Sequence, residues 1–220
     1  MVLRSRLLSA LASIEHGFGT RQASLSQEGM VSLEQIHSAL PLIADRDAGS
    51  IGAGDALLTN RAGARLSIRT ADCLPILLAG PAWSAVAALH AGWRGTAGGI
   101  VGAALARMSS EFGVDPARVC AAIGPGIGAC CYHVGAEVAR RFGLAGPGPL
   151  DLAEENRRQL MAAGVRAERI EVLGLCTRCD AERFHSWRRD GEAAGRMISY
   201  IALRRGAGFS NDLDRRAPAL

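Results

Sequence analysis

Between Leu74 and Trp93 the chain runs for twenty residues without a formal charge. A run of that length can cross a bilayer as a helix, so its reading decides between a membrane span and a buried core. Pro75 stands one residue inside it, Gly80-Pro81 interrupts it, and Ser84 and His90 add polar groups. A Gly-Pro pair ends a helix and makes a turn. The run therefore divides into two apolar strands, Leu74–Ala79 and Ser84–His90, each buried on both faces. The expectation is a central antiparallel hairpin, with no membrane partner.

Such a hairpin needs a core around it, and 220 residues with 49% hydrophobic content supply one. No repeat or long linker divides the chain, so residues 1–220 read as one domain, with motifs over about 14–203 and a loose tail at 204–220. Arg4 and Arg6 precede an apolar stretch broken by Ser5, Ser9 and Ser13, with no small-residue cleavage site. The expected location is cytoplasmic, and the six cysteines read as free thiols or ligands rather than a disulfide frame. All 25 basic residues are arginine, which excludes Schiff-base and P-loop lysine chemistry. The net charge of +4 is spread without a basic, aromatic-laced stripe, so nucleic acid is not an expected partner. A homodimer is compatible with these features.

Further strands are expected at Ile14–Arg21, Ala56–Thr59, Leu66–Thr70, Val119–Ile123, Arg169–Leu173 and Met197–Leu203. Gly49–Gly54 is glycine-rich. Helices are expected from Thr96 to about Met108, over Val134–Phe142, and over Leu152–Ala163 with Asp151 as its cap. Several strand-to-strand connections are too short for a crossover helix, which argues for mixed sheets in an α+β fold.

The chain has only five histidines. His37, Cys73 and His90 all fall at strand or loop ends. Closing the hairpin brings the start of one strand beside the end of the next, so Cys73 and His90 should face each other. That geometry gives two ligands. A thiolate with two imidazoles would suit Zn²⁺ and leave one position open, as catalytic zinc sites do. Asp72 and Arg94 stand close to Cys73 and His90 in sequence, and charges beside buried strands need a reason. Cys176-Thr177-Arg178-Cys179 has the spacing of a zinc knuckle or redox dithiol, but no second such pair exists, and Cys120, Cys130 and Cys131 are distant in sequence. Core packing is the reading for these cysteines.

Seven motifs in order resemble the YfiH family. They are Gln35-Ile36-His37, Gly54-Asp55-Ala56-Leu57-Leu58-Thr59, Thr70-Ala71-Asp72-Cys73-Leu74-Pro75, His90-Ala91-Gly92-Trp93-Arg94-Gly95, Ala122-Ile123-Gly124-Pro125 with Cys130-Cys131-Tyr132, Gly174-Leu175-Cys176-Thr177, and Ser186-Trp187-Arg188-Arg189-Asp190. The family was long labelled laccase-like multicopper polyphenol oxidoreductase and is now described as purine nucleoside phosphorylases. The resemblance implies a single-domain layered sandwich of mixed β-sheets flanked by helices, related to bacterial toxin deamidases of the cytotoxic necrotizing factor type. It implies that His37, Cys73 and His90 are the metal ligands. It also implies phosphorolysis of adenosine, inosine and methylthioadenosine, and deamination of adenosine, with purine nucleosides and phosphate as partners. One departure stands out: only thirteen residues separate Arg21 from Gln35, where the family has a glycine-rich loop and a helix.

Deamination calls for an activated water, which zinc supplies. Phosphorolysis calls for an oxyanion site, which arginine suits. Arg94 just ahead of the expected helix is the first candidate, then Arg188, then Arg21. Asp72 is the candidate proton carrier, or else a partner that orients a zinc-bound imidazole. Copper can occupy the same three ligands, but a four-copper laccase needs on the order of ten histidines. The other readings are a metal-free hydrolase with Cys73 as nucleophile and His90 as base, and a metal-binding module without turnover.

Overall fold

A computed structural model describes residues 1–81 and 84–205. In chain order the elements are β1 (Val2–Leu3), α1 (Arg6–Ser9), β2 (Ile14–Gly19), β3 (Val31–Glu34), β4 (Pro41–Ile43), β5 (Gly49–Ala53), β6 (Ala56–Thr59), β7 (Leu66–Thr70), β8 (Leu74–Ala79) and β9 (Val86–Ala91). There follow α2 (Trp93–Ala97), α3 (Ile100–Phe112), β10 (Cys120–Ile123), β11 (His133–Val134), α4 (Ala136–Arg141), β12 (Gly148–Pro149), α5 (Leu152–Ala162), β13 (Ile170–Val172), α6 (Trp187–Asp190) and β14 (Met197–Leu203).

Two six-stranded mixed sheets carry the fold, one ordered β1-β2-β14-β7-β3-β5 and the other β13-β10-β8-β9-β6-β4. The hairpin β8–β9 occupies the middle of the second sheet, in antiparallel register with Leu74 opposite Ala91 and Pro75 opposite His90. Both of its faces are covered, which is why its sequence is apolar throughout. Ile76, Leu78, Ala87 and Leu89 join the helical layer through Ile100, Ala104, Met108 and Leu160. Leu77, Ala79, Val86 and Ala88 pack instead with Phe18, Leu66, Ile68 and Ile201 of the first sheet. The result is a three-layered α+β sandwich: sheet, sheet, helices.

The expected strands at Ala56–Thr59, Leu66–Thr70 and Met197–Leu203 form as read. Asp151 caps α5 by accepting from the Glu154 N–H at 3.0 Å. The expected helix from Thr96 is instead two helices, divided at Gly98-Gly99, where Gly99 adopts φ +78°. Arg94 thus lies within the short α2 rather than ahead of a long helix. The glycine-rich segment Gly49–Ala53 forms an exposed strand at the sheet edge, paired in parallel with β3, with Gly49 and Gly52 at positive φ. Of the expected loose tail, Arg204 and Arg205 are anchored, Arg204 by its N–H on the Ser13 carbonyl at 2.8 Å and Arg205 by Asp47 at 3.2 Å. The remainder lies outside the described residues. No described helix is long and apolar enough to cross a membrane.

The N-terminal segment ties the two sheets together. Glu171 of β13 accepts from the Ser5 hydroxyl at 2.6 Å and the Leu7 N–H at 2.8 Å, while the Ser5 N–H donates to Nε2 of buried His16 on β2 at 2.9 Å. That contact needs an unprotonated Nε2. Burial, then the Arg4 charge, hold the His16 pKa down at about 4, against the pull of Glu171. An unfolded imidazole titrates near 6.5, so between these values the unfolded state binds the extra proton and stability falls as pH falls. Lowering the pH from 7 to 4.5 should cost up to roughly 3 kcal/mol through this group. Urea-unfolding midpoints should show that loss in the wild type and a smaller one in His16→Gln, which keeps an acceptor but cannot titrate.

Candidate metal centre

Two connections that cross between the sheets meet at one end of the hairpin. The loop from β3 to β4 carries His37, and the loop from β7 to β8 carries Asp72 and Cys73. His90, near the end of β9, completes the group. One donor atom from each of His37, Cys73 and His90 lies within 4.8 Å of the others. The imidazole rings of His37 and His90 meet edge to face with centroids 4.9 Å apart. His90 and Cys73 converge through the hairpin register, as the sequence implies, and His37 is the third.

What holds His37 in place is Asp55, a fully buried carboxylate immediately before β6. It accepts from the backbone N–H groups of Ile36, His37 and Ser38, from the Ser38 hydroxyl at 2.8 Å, and from Nδ1 of His90 at 2.8 Å. The loop turns tightly enough that His37 adopts φ +59°, a costly conformation for a residue with a side chain. One carboxylate thus fixes both imidazoles, His90 through its ring and His37 through its backbone. Because Nδ1 of His90 faces Asp55, Nε2 is the nitrogen left for a cation, the arrangement of carboxylate–histidine–metal sites. Asp55 is the site residue that went without a role in the sequence reading. The signal was present: a carboxylate against the apolar run Ala56-Leu57-Leu58 needs a partner as much as Asp72 does. The imidazole-orienting carboxylate is therefore Asp55, not Asp72.

The electrostatics follow from these contacts. Burial works against charge at His90, but the hydrogen bonds to Asp55 and Cys73 outweigh it and raise its pKa. Burial likewise pushes the Cys73 thiol up, while hydrogen bonds with His37 and His90 bring it down to about 7. A thiol of that kind yields its proton readily to a cation. Space is equally specific: a Cβ at Gly92 would lie 2.8 Å from Cys73 Sγ and 3.5 Å from His37 Cδ2.

The other expected residues surround this group unevenly. Asp72, at φ +83°, accepts from the Thr177 hydroxyl at 2.6 Å and from the Arg188 N–H at 2.6 Å. The Arg188 guanidinium lies over the Tyr132 ring, 5.1 Å from its centroid, and donates to the His133 carbonyl at 3.1 Å. Arg94 is exposed and stacks on Trp93 at 4.4 Å. Burial raises the Tyr132 hydroxyl to about 12; the charges of Cys73 and Asp72 add to this, while those of Arg188 and Arg94 oppose it. Arg188 thus borders Tyr132 directly, while Arg94 acts on it through its charge. Arg21 is placed elsewhere. It donates to the Ala181 carbonyl at 2.7 Å, and its charge acts on His185 and Asp190.

Residues 18–204 match the family described as multi-copper polyphenol oxidoreductase laccase. The chain belongs to that family. It is 37% identical over 215 residues to a purine nucleoside phosphorylase of Deinococcus radiodurans, covering 95% of this chain and 79% of that protein. It is also 37% identical over 171 residues to the adenosine deaminase RL5 of an unknown prokaryotic organism, covering 71% of this chain and 65% of that protein. The crystal structure of YlmD from Geobacillus stearothermophilus superposes with a TM-score of 0.84 at 30% identity, over 92% of this chain and 96% of that one. Relatives in the family carry enzyme names. The family's copper label meets a simple constraint here. Among the described residues only His37 and His90 join the metal-capable group that includes Cys73, and the other three histidines lie outside it. That donor set suits one cation, not a four-copper assembly.

If Asp55 orients the ligands as described, Asp55→Asn should lower zinc affinity by roughly 10–100-fold, as loss of such outer carboxylates does. Gly92→Ala should weaken it as well, because the added methyl occupies the space beside the Cys73 sulfur. Competition titration against a chromogenic chelator measures both.

Proposed function

We propose that this protein is a zinc-dependent purine nucleoside enzyme that cleaves adenosine, inosine and methylthioadenosine with phosphate and deaminates adenosine, with His37, Cys73 and His90 as the metal ligands. The observation that carries this reading is the convergence of those three side chains from three separate segments, two of them braced by the same buried carboxylate. The names of the relatives supply the substrate class.

The donor set of one thiolate and two imidazoles fits zinc with a coordination position left over. When bound, such a cation supplies Lewis acidity toward a water or a substrate oxygen. The protein's own groups do the rest. Arg188, over the Tyr132 ring, and Arg94, exposed on Trp93, offer planar, permanently charged donors for phosphate. In phosphorolysis a phosphate oxygen bonds to C1′, the C1′–N9 electron pair leaves with the purine, and a base nitrogen takes up a proton. In deamination water adds at C6 and ammonia leaves. Asp72 is best read as a positioning residue, because its two oxygens fix the Arg188 backbone and Thr177. Arg21, whose guanidinium donates to the Ala181 carbonyl, stands behind these two as a phosphate donor.

A second reading has its own support. With no cation bound, the lowered Cys73 thiol and the raised His90 imidazole form a nucleophile–base pair, with Asp55 as the orienting acid. The second imidazole, His37, also helps lower the Cys73 thiol, but a third donor in reach of the same point is more than a nucleophile–base pair needs, which favours the metal.

Adenosine incubated with phosphate should yield adenine and ribose 1-phosphate, and without phosphate it should yield inosine. Chelation should abolish both and zinc restore them, whereas activity that survives chelator but not iodoacetamide would establish the metal-free hydrolase. Arg94→Met and Arg188→Met should each raise the KM for phosphate by roughly 10–100-fold, the value of one charge-assisted hydrogen bond, while deamination changes little. Steady-state kinetics of the two reactions on the same preparations make that comparison.

A further inference from the structure

A second group of metal-capable side chains lies apart from His37, Cys73 and His90. Cys130 and Cys131 follow the glycine-rich turn at 124–128, and Cys176 and Cys179 stand on the loop after β13. Folding brings all four sulfurs within 4.8 Å of one another, across a sequence separation of up to 49 residues. The sulfur of Cys130 is 3.8 Å from that of Cys131 and 3.6 Å from that of Cys179, and Cys131 and Cys179 are 3.3 Å apart. With zinc–sulfur bonds of about 2.3 Å, the edge of a tetrahedral four-sulfur site is about 3.8 Å. The four thiols already stand near that spacing, and none is in a disulfide.

The backbone around them is fixed. The Thr177 N–H donates to the Gly126 carbonyl at 2.9 Å, and the Gly126 N–H donates to Leu175 at 3.2 Å, so the two loops are laced together before any ion binds. The Gly128 N–H points at Cys176 Sγ at 3.3 Å, and Arg178 Nη1 lies 3.6 Å from Cys131 Sγ. Four thiolates around a divalent cation leave a net charge of −2, and an N–H donor and a guanidinium directed at sulfur offset that charge.

We infer that Cys130, Cys131, Cys176 and Cys179 form a structural tetrathiolate site for Zn²⁺, distinct from the catalytic group and independent of what that group does. On binding, the thiol protons pass to solvent and four sulfur–zinc bonds form, with no change of oxidation state. Being closed, the site has no position for substrate. Its role is mechanical: Cys131 adjoins Tyr132, beneath the Arg188 guanidinium, and Cys176 and Cys179 bracket Thr177, which holds Asp72. The ion staples together the two loops that border the candidate active site.

Metal content of protein purified under reducing conditions tests this. Wild type should hold about two zinc ions per chain, and the double variants Cys130→Ser/Cys179→Ser and Cys73→Ser/His90→Ala about one each. Cobalt loading gives a second readout that does not depend on the four-cysteine variant folding. The Cys73→Ser/His90→Ala protein should keep an intense thiolate-to-cobalt charge-transfer band, since only the tetrathiolate group remains. Zinc content unchanged in Cys130→Ser/Cys179→Ser would overturn the inference. So would a weak cobalt band in the other double variant, or a Cys131–Cys179 disulfide in the wild type by peptide mass mapping.

Discussion

A carboxylate with no solvent exposure cannot stay charged without partners, and Asp55 has five: three consecutive backbone N–H groups, one hydroxyl and one imidazole. Satisfying that single charge dictates the path of the loop that leaves the first sheet for the second. It dictates the left-handed backbone of His37, and which nitrogen of His90 faces outward. The hydrogen bonds outweigh burial and keep the Asp55 carboxyl ionised well below the usual carboxylate range. The metal-capable group is the geometric remainder of this arrangement.

The hairpin supplies the complementary constraint. Because β8 and β9 are apolar on both faces, they can only sit in the middle of a layered structure, with a sheet on one side and helices on the other. That placement leaves polar chemistry to the strand ends. Cys73 before β8 and His90 near the end of β9 stand at such ends, and Gly92 keeps the space beside the Cys73 sulfur open by lacking a side chain.

Much of this was legible in the sequence, and for physical reasons. A long uncharged run broken by Gly-Pro has few folded solutions, so the hairpin and the pairing of Cys73 with His90 could be read directly. His37 came from motif resemblance, because nothing local says where a loop will land. The split of α2 from α3 was written in Gly98-Gly99, a pair that the apolar periodicity on either side of it obscured. The edge strand at Gly49–Ala53 was hidden by its own glycines, whose positive φ values serve a curved, exposed strand as readily as a loop. Asp55 and the four-cysteine group escaped for a common reason. Each takes its meaning from partners across the fold: the carboxylate against an apolar run and the spacing of Cys176 and Cys179 are visible in the chain, but the groups they meet are not.

Both connections that deliver His37 and Cys73 pass from one sheet to the other, and His90 belongs wholly to the second. The metal-capable group therefore has no existence as a local module. The two crossings are as much a part of the site as the side chains they carry.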